Sequence, residues 1–167
     1  MPLSPFARTL ALALALSAGA GAAAAQSAEG TVLTGSVGWF DFNDNEDAAM
    51  AGVEARFSPL FWKVSPIVGL FGTSDGGAYG YGGLALPLNV TENIAIIPAF
   101  AVGAYHEGSG KDLGHTLEFR SALELSYHIG GGHRLGLTVA HLSNASLDDN
   151  NPGTETLTLN YTVPLGW

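Results

Sequence analysis

The chain has 167 residues, a formal net charge of −9 and no cysteine. An excess of carboxylates without a basic patch argues against nucleic acid as a partner, because nothing is available to neutralise phosphates. The missing thiols are compatible with export but identify no compartment, and composition alone also permits a soluble secreted β-protein.

Residues 1–25 read as a secretory signal peptide. Arg8 supplies the positive charge, 10–16 is an unbroken Leu/Ala run, and Ala23-Ala24-Ala25 offers a small-residue cleavage site before Gln26. The run is short for a membrane anchor. Residues 26–167 are then expected to form a single domain. The nearest later candidate for a membrane helix, 94–105, is also short and contains Pro98. A membrane location therefore requires a closed barrel, since only helices and barrels satisfy their own backbone groups in lipid.

Strand-like segments fall near 31–42, 48–58, 62–73, 78–88, 93–106, 115–129, 133–144 and 155–167. Each is long enough to cross a bilayer as a tilted strand. The connections 41–47, 73–78, 106–115 and 144–154 are polar, the last two long, while 58–60, 89–93 and 130–132 are tight. This alternation predicts an all-β, eight-stranded antiparallel transmembrane β-barrel with short periplasmic turns and longer extracellular loops. An even strand number returns the C-terminus to the periplasm.

Within 93–106, Pro98 removes a ladder donor, and a closed barrel has no edge to hide it, so a bulge or kink is expected there. In 115–129, Leu117, Phe119, Leu123, Leu125, Tyr127 and Ile129 oppose Glu118, Arg120, Glu124 and His128. In 155–167, Leu157, Leu159, Tyr161, Val163, Leu165 and Trp167 oppose Thr156, Thr158, Asn160 and Thr162. A soluble barrel turns the apolar face inward and a membrane barrel turns it outward; the alternation alone does not choose. Three features favour the membrane. Glu54, Arg56, Glu118, Arg120 and Glu124 could neutralise one another in a lumen. An eight-stranded lumen has just enough room for side chains. The chain ends on Trp167, one of an aromatic set suited to interface girdles.

The last two segments carry the chemistry. His141 and Ser143 stand about 6.6 Å apart on one strand face, shared with Leu135, Leu137 and Val139. Glu155 has the parity of Leu157 and Leu159. A hairpin register of 141 opposite 155, 139 opposite 157 and 137 opposite 159 brings the three polar groups together at the outer end. They suit a hydroxyl nucleophile, an imidazole base and an orienting carboxylate. The pattern by itself equally fits polar residues at the membrane boundary. His106, His115, His128 and His133 read as interfacial or solvent-facing, without a metal-ligand pattern.

The run His141-x-Ser143-Asn144-Ala145, followed by Glu155 and by Tyr161-x-Val163-Pro164-Leu165, resembles the lipid A 3-O-deacylase (PagL) family. The stretch from Gly110-Lys111-Asp112-Leu113-Gly114-His115 through Glu118-Phe119-Arg120-Ser121 also resembles bacterial members. The likeness spans nearly the whole of 26–167 and is most specific in its last third. It implies an outer-membrane barrel whose site opens sideways into the outer leaflet. The implied enzyme is an esterase that removes the ester-linked 3-hydroxyacyl chain at position 3 of lipid A, without metal or cofactor. Ser143 would be the nucleophile, His141 the base and Glu155 its orienting partner. Asn144 and the backbone N–H of Ser146 would form the oxyanion hole. Family members tend to have glycine where Ser146 stands, so the turn must tolerate a side chain.

The implied partners are lipopolysaccharide and outer-membrane lipids, with a homodimer left open. The loop carboxylates Asp41, Asp44, Glu46, Asp47, Asp148 and Asp149 read first as a solvated acidic face, and second as contacts for cations bridging lipopolysaccharide phosphates. Two other readings compete. One is an outer-membrane phospholipase, although the families with that activity are larger barrels with an amide in place of Glu155. The other is a non-enzymatic structural or adhesion barrel.

Overall fold

A computed structural model describes residues 30–44 and 46–166. The expected signal peptide and the girdle position of Trp167 lie outside the described residues. The strands are β1 (Val32–Phe40), β2 (Ala48–Arg56), β3 (Ser65–Thr73), β4 (Ala78–Ala85, continued at Leu88–Asn89), β5 (Ile94–His106), β6 (Leu117–Gly130), β7 (His133–Ser143) and β8 (Thr154–Pro164). Each pairs antiparallel with the next, and β8 returns to β1, closing the sheet.

The burial pattern decides the polarity of the wall. On β8, Thr156, Thr158, Asn160 and Thr162 are buried, while Leu159 and Tyr161 are exposed. Val37, Val53, Val68, Leu70, Phe100, Leu125 and Leu137 join them on the outside. An apolar exterior around a polar interior is the arrangement that lipid selects. The fold is therefore the expected eight-stranded membrane barrel.

Side chains fill the lumen. An apolar cluster that includes Phe40, Met50, Phe71, Tyr79, Tyr105 and Leu142 occupies the outer half, and Ile67, Ala85, Ala95, Ile97 and Ala101 occupy the inner half. Between them a cavity of about 50 Å³ is lined by Glu54, Arg56, Arg120 and Glu124 among others. Tyr81 Oη donates to Glu54 Oε2 at 3.0 Å, and the Arg120 guanidinium lies 5.1 Å from the Tyr81 ring centre. Mutual neutralisation in the lumen is incomplete, because Glu118 is fully buried and neither carboxylate oxygen has a hydrogen-bond partner among the described residues.

The extracellular mouth is plugged by the 107–116 loop. Leu113 joins the outer apolar cluster. Lys111 Nζ meets Asp41 Oδ1 at 2.7 Å, and Thr154 Oγ1 donates to the same oxygen at 2.9 Å. Tyr105 Oη donates to the Lys111 carbonyl at 2.9 Å. A large substrate has no route to the outer wall through this lumen.

Three local expectations are corrected. No bulge forms at Pro98, for β5 keeps its register against both neighbours. The absent N–H faces Leu86 instead, where β4 itself is interrupted and where Leu86 N donates to Pro98 O at 2.9 Å. The register shift lies elsewhere, between His128 and Gly130. The link after β2 is not a tight turn at 58–60: β3 starts at Ser65, so the connection covers 57–64. His128, expected to be interfacial or solvent-facing, has lumen parity opposite Arg134 and is half-buried.

Candidate active site

The β7–β8 hairpin adopts the register expected from parity, with His141 opposite Glu155, Val139 opposite Leu157 and Leu137 opposite Leu159. Alternation then turns His141, Ser143 and Glu155 to the outside of the barrel at its extracellular end. His141 Nδ1 and Glu155 Oε1 are 3.1 Å apart, and their side chains are 45% and 22% exposed. The Glu155 backbone is fixed from the other side, since Asp41 N donates to its carbonyl at 2.8 Å. A carboxylate accepting from Nδ1–H leaves the Nε2 lone pair available as a base.

Ser143 is half-buried, and its hydroxyl makes no hydrogen bond among the described residues, with His141 or otherwise. The structure thus joins His141 to Glu155 and leaves Ser143 uncommitted on the same face. The ring's orientation shows where Nε2 points. A Cβ placed on Gly153 would lie 3.0 Å from His141 Cε1 and 3.6 Å from Nε2. Gly153 follows the last ladder pair, Leu142 opposite Thr154, by one step. It therefore stands at the level of Ser143, and the Cε1–Nε2 edge leans toward that level.

Pairing between β6 and β7 adds residues that sequence reasoning missed. Ser121 lies opposite His141, and Phe119 lies opposite Ser143. Phe119 stacks on Phe100, with ring centres 6.1 Å apart, so an aromatic wall flanks the serine. Ser121 offers the imidazole a second hydroxyl on the side away from Glu155. No local pattern announces these neighbours, because they depend on the register of two distant strands.

The expected oxyanion donors are engaged within their own loop. Asn144 is fully buried, and its Nδ2 donates to the carbonyls of Leu113 at 2.9 Å and Asn150 at 2.8 Å. Ser146 N donates to Asn144 Oδ1 at 3.0 Å. Asn151 Oδ1 accepts from Asn144 N at 3.0 Å, while its Nδ2 has no partner among the described residues. Ala145 and Ser146 adopt φ of 54° and 65°, the left-handed region that favours glycine. The loop accepts the Ser146 side chain at a strain of about 1 kcal/mol.

Asp41 is not part of a solvated acidic face. It is fully buried beneath Lys111, which also reaches Asp44 Oδ2 at 3.3 Å. Burial pulls the Lys111 ammonium down, but hydrogen bonds and charge from Asp41 and Asp44 outweigh it and hold the lysine above its ordinary value.

No curated protein matches the chain. The crystal structure of the outer membrane enzyme PagL is 18% identical, covers 80% of this chain and 99% of that chain, and has a TM-score of 0.64. Neisserial surface protein A is 9% identical over 84% of this chain and 100% of that chain, with a TM-score of 0.61. A de novo designed transmembrane β-barrel is 11% identical over 83% and 98%, with a TM-score of 0.59. At these identities the structural likeness shows the fold. The sequence likeness goes further: a family model for lipid A 3-O-deacylases (PagL) matches residues 51–164, spanning β3 to β8 and the whole His141–Glu155 hairpin. This outer-membrane barrel belongs to the lipid A 3-O-deacylase (PagL) family.

Proposed function

We propose that the protein is an outer-membrane esterase that removes the 3-hydroxyacyl chain at position 3 of lipid A by a Ser-His-Glu mechanism. The observation that carries the reading is the His141–Glu155 hydrogen bond at 3.1 Å on the lipid-facing wall, beside the uncommitted Ser143 hydroxyl. The plugged lumen complements it, because a substrate must then approach sideways from the outer leaflet.

His141 Nε2 takes the proton from Ser143 Oγ as that oxygen attacks the ester carbonyl carbon. The tetrahedral intermediate collapses, His141 returns the proton to the departing sugar hydroxyl, and the acyl chain remains on Ser143. Water deprotonated by His141 then attacks the acyl carbonyl. The 3-hydroxy fatty acid leaves, and the proton returns to Ser143. Glu155 keeps the imidazole in the Nδ1–H form and stabilises the transient imidazolium.

Ser143 is favoured over Ser121 because the Cε1–Nε2 edge lies beside Gly153, which stands at the level of Ser143. Among oxyanion donors, the Ser146 N–H would have to exchange Asn144 Oδ1 for the developing charge. Asn151 Nδ2 needs no such exchange. Asn144 serves this arrangement by holding the loop, with both amide hydrogens already placed.

Purified protein in detergent, given lipid A and phosphatidylethanolamine in parallel, tests the proposal. Release of a 3-hydroxy fatty acid from lipid A is expected. Fatty acid from the phospholipid alone would establish a phospholipase instead, and release from neither would leave a non-enzymatic barrel.

A further inference from the structure

The turn between β2 and β3 carries an apolar surface that neither the lumen nor the catalytic wall explains. Leu60, Phe61 and Trp62 are 71%, 67% and 73% exposed, above every other large apolar side chain among the described residues. The turn is nevertheless well built. Leu60 N donates to Val64 O at 2.9 Å, and Val64 N donates to Phe61 O at 3.0 Å. Phe57 N closes the base on Pro66 O at 2.9 Å. Trp62 takes a φ of 47°, disfavoured for any residue but glycine. Such a conformation persists where the surrounding structure imposes it.

Two further features say what covers this surface. Its base is continuous with the lipid-facing wall, through exposed Phe57 and Val53 on one side and Val68 and Leu70 on the other. Residues 57–64 also contain no Asp or Glu and one cation, Lys63, in a chain with 15 acidic residues. An indole beside a lysine suits the headgroup layer, where the ring meets acyl chains and the ammonium reaches phosphate. The other connections at this end, 86–93 and 130–132, contain no aromatic residue.

We propose that the β2–β3 turn is an interfacial anchor. It seats in the headgroup layer of the periplasmic phospholipid leaflet, at the end of the barrel opposite the His141–Glu155 pair. By fixing the depth of the barrel there, it sets the level at which the catalytic wall meets the outer leaflet.

The test is a protein in which Trp62 is the only tryptophan, made with Trp39→Phe and Trp167→Phe. It is folded into phosphatidylethanolamine–phosphatidylglycerol vesicles carrying bromines at graded depths. Trp62 emission is expected to shift to the blue of the urea-unfolded chain. Quenching should be strongest with the bromines nearest the headgroups and weak with aqueous iodide. Emission like the unfolded chain, with strong iodide quenching and none by bromines, would overturn the anchor and leave a water-facing patch for a periplasmic protein. If the double substitution does not fold, the difference spectrum between wild type and Trp62→Phe gives the same reading.

Discussion

Gly153 holds a position that a side chain would spoil. It has a φ of 68°, and its missing Cβ would press on His141 at 3.0 Å. Gly153→Ala should displace the imidazole by a few tenths of an ångström. Because a misplacement of about 1 Å costs about 10²-fold, a shift of a few tenths should lower kcat by a smaller factor, about 3-fold, with KM little changed because no binding contact is lost. The left-handed alanine adds a strain of about 1 kcal/mol, so kcat measured well below the unfolding temperature separates the two effects. Unchanged kcat with unchanged pH dependence would remove Gly153 from the positioning of His141. His141, Ser143 and Glu155 were legible in the sequence because parity and a single hairpin place them. Gly153, Ser121 and the bonds of Asn144 were not, because they depend on loop backbone and on pairing with β6. Ser146 shows the same limit: its φ of 65° explains why glycine suits the position, but only the loop's own hydrogen bonds show how serine is accommodated.

The 107–116 loop acts as a plug because Lys111 is tied to a fully buried Asp41 at 2.7 Å. Lys111→Ala leaves that carboxylate uncompensated, which costs about 3 kcal/mol. Denaturant unfolding and protease cleavage within the loop should both report the loss; an unchanged midpoint together with an intact loop would contradict it. Because the folded pKa of Lys111 is raised, the stabilisation is fully present below the unfolded value of about 10.4. It disappears only as pH rises through the higher folded value, so the plug should hold unaltered across neutral pH. Strand positions were largely legible from alternation, since each strand has one lipid face and one lumen face. Two elements were misread for physical reasons. Pro98 forces no bulge because its partner strand breaks opposite it, a compensation that lies outside the local sequence. Trp62 resembled a strand start, since turns in water are polar, whereas this one borders lipid.

The closed barrel makes a direct claim about its solvent. Val37 is exposed on the outer wall of β1, and under this reading its surroundings are acyl chains. Val37→Arg should destabilise the protein in a bilayer by about 2–4 kcal/mol if the site lies near the midplane, measured by urea unfolding in vesicles. No change would contradict a lipid-facing position. Neither the net charge nor the alternation could choose which face of the sheet looked inward; the buried threonines of β8 and the exposed leucines beside them did. The catalytic proposal depends on that choice, because it puts the His141–Glu155 pair in reach of the outer leaflet. The most direct test is the mass spectrum of lipid A from cells expressing wild type or Ser143→Ala, with heat-modifiable mobility confirming that both barrels are folded. Wild type should shift lipid A by the loss of one 3-hydroxyacyl chain, and Ser143→Ala should leave it intact. Identical spectra from the two folded proteins would contradict the catalytic role of Ser143.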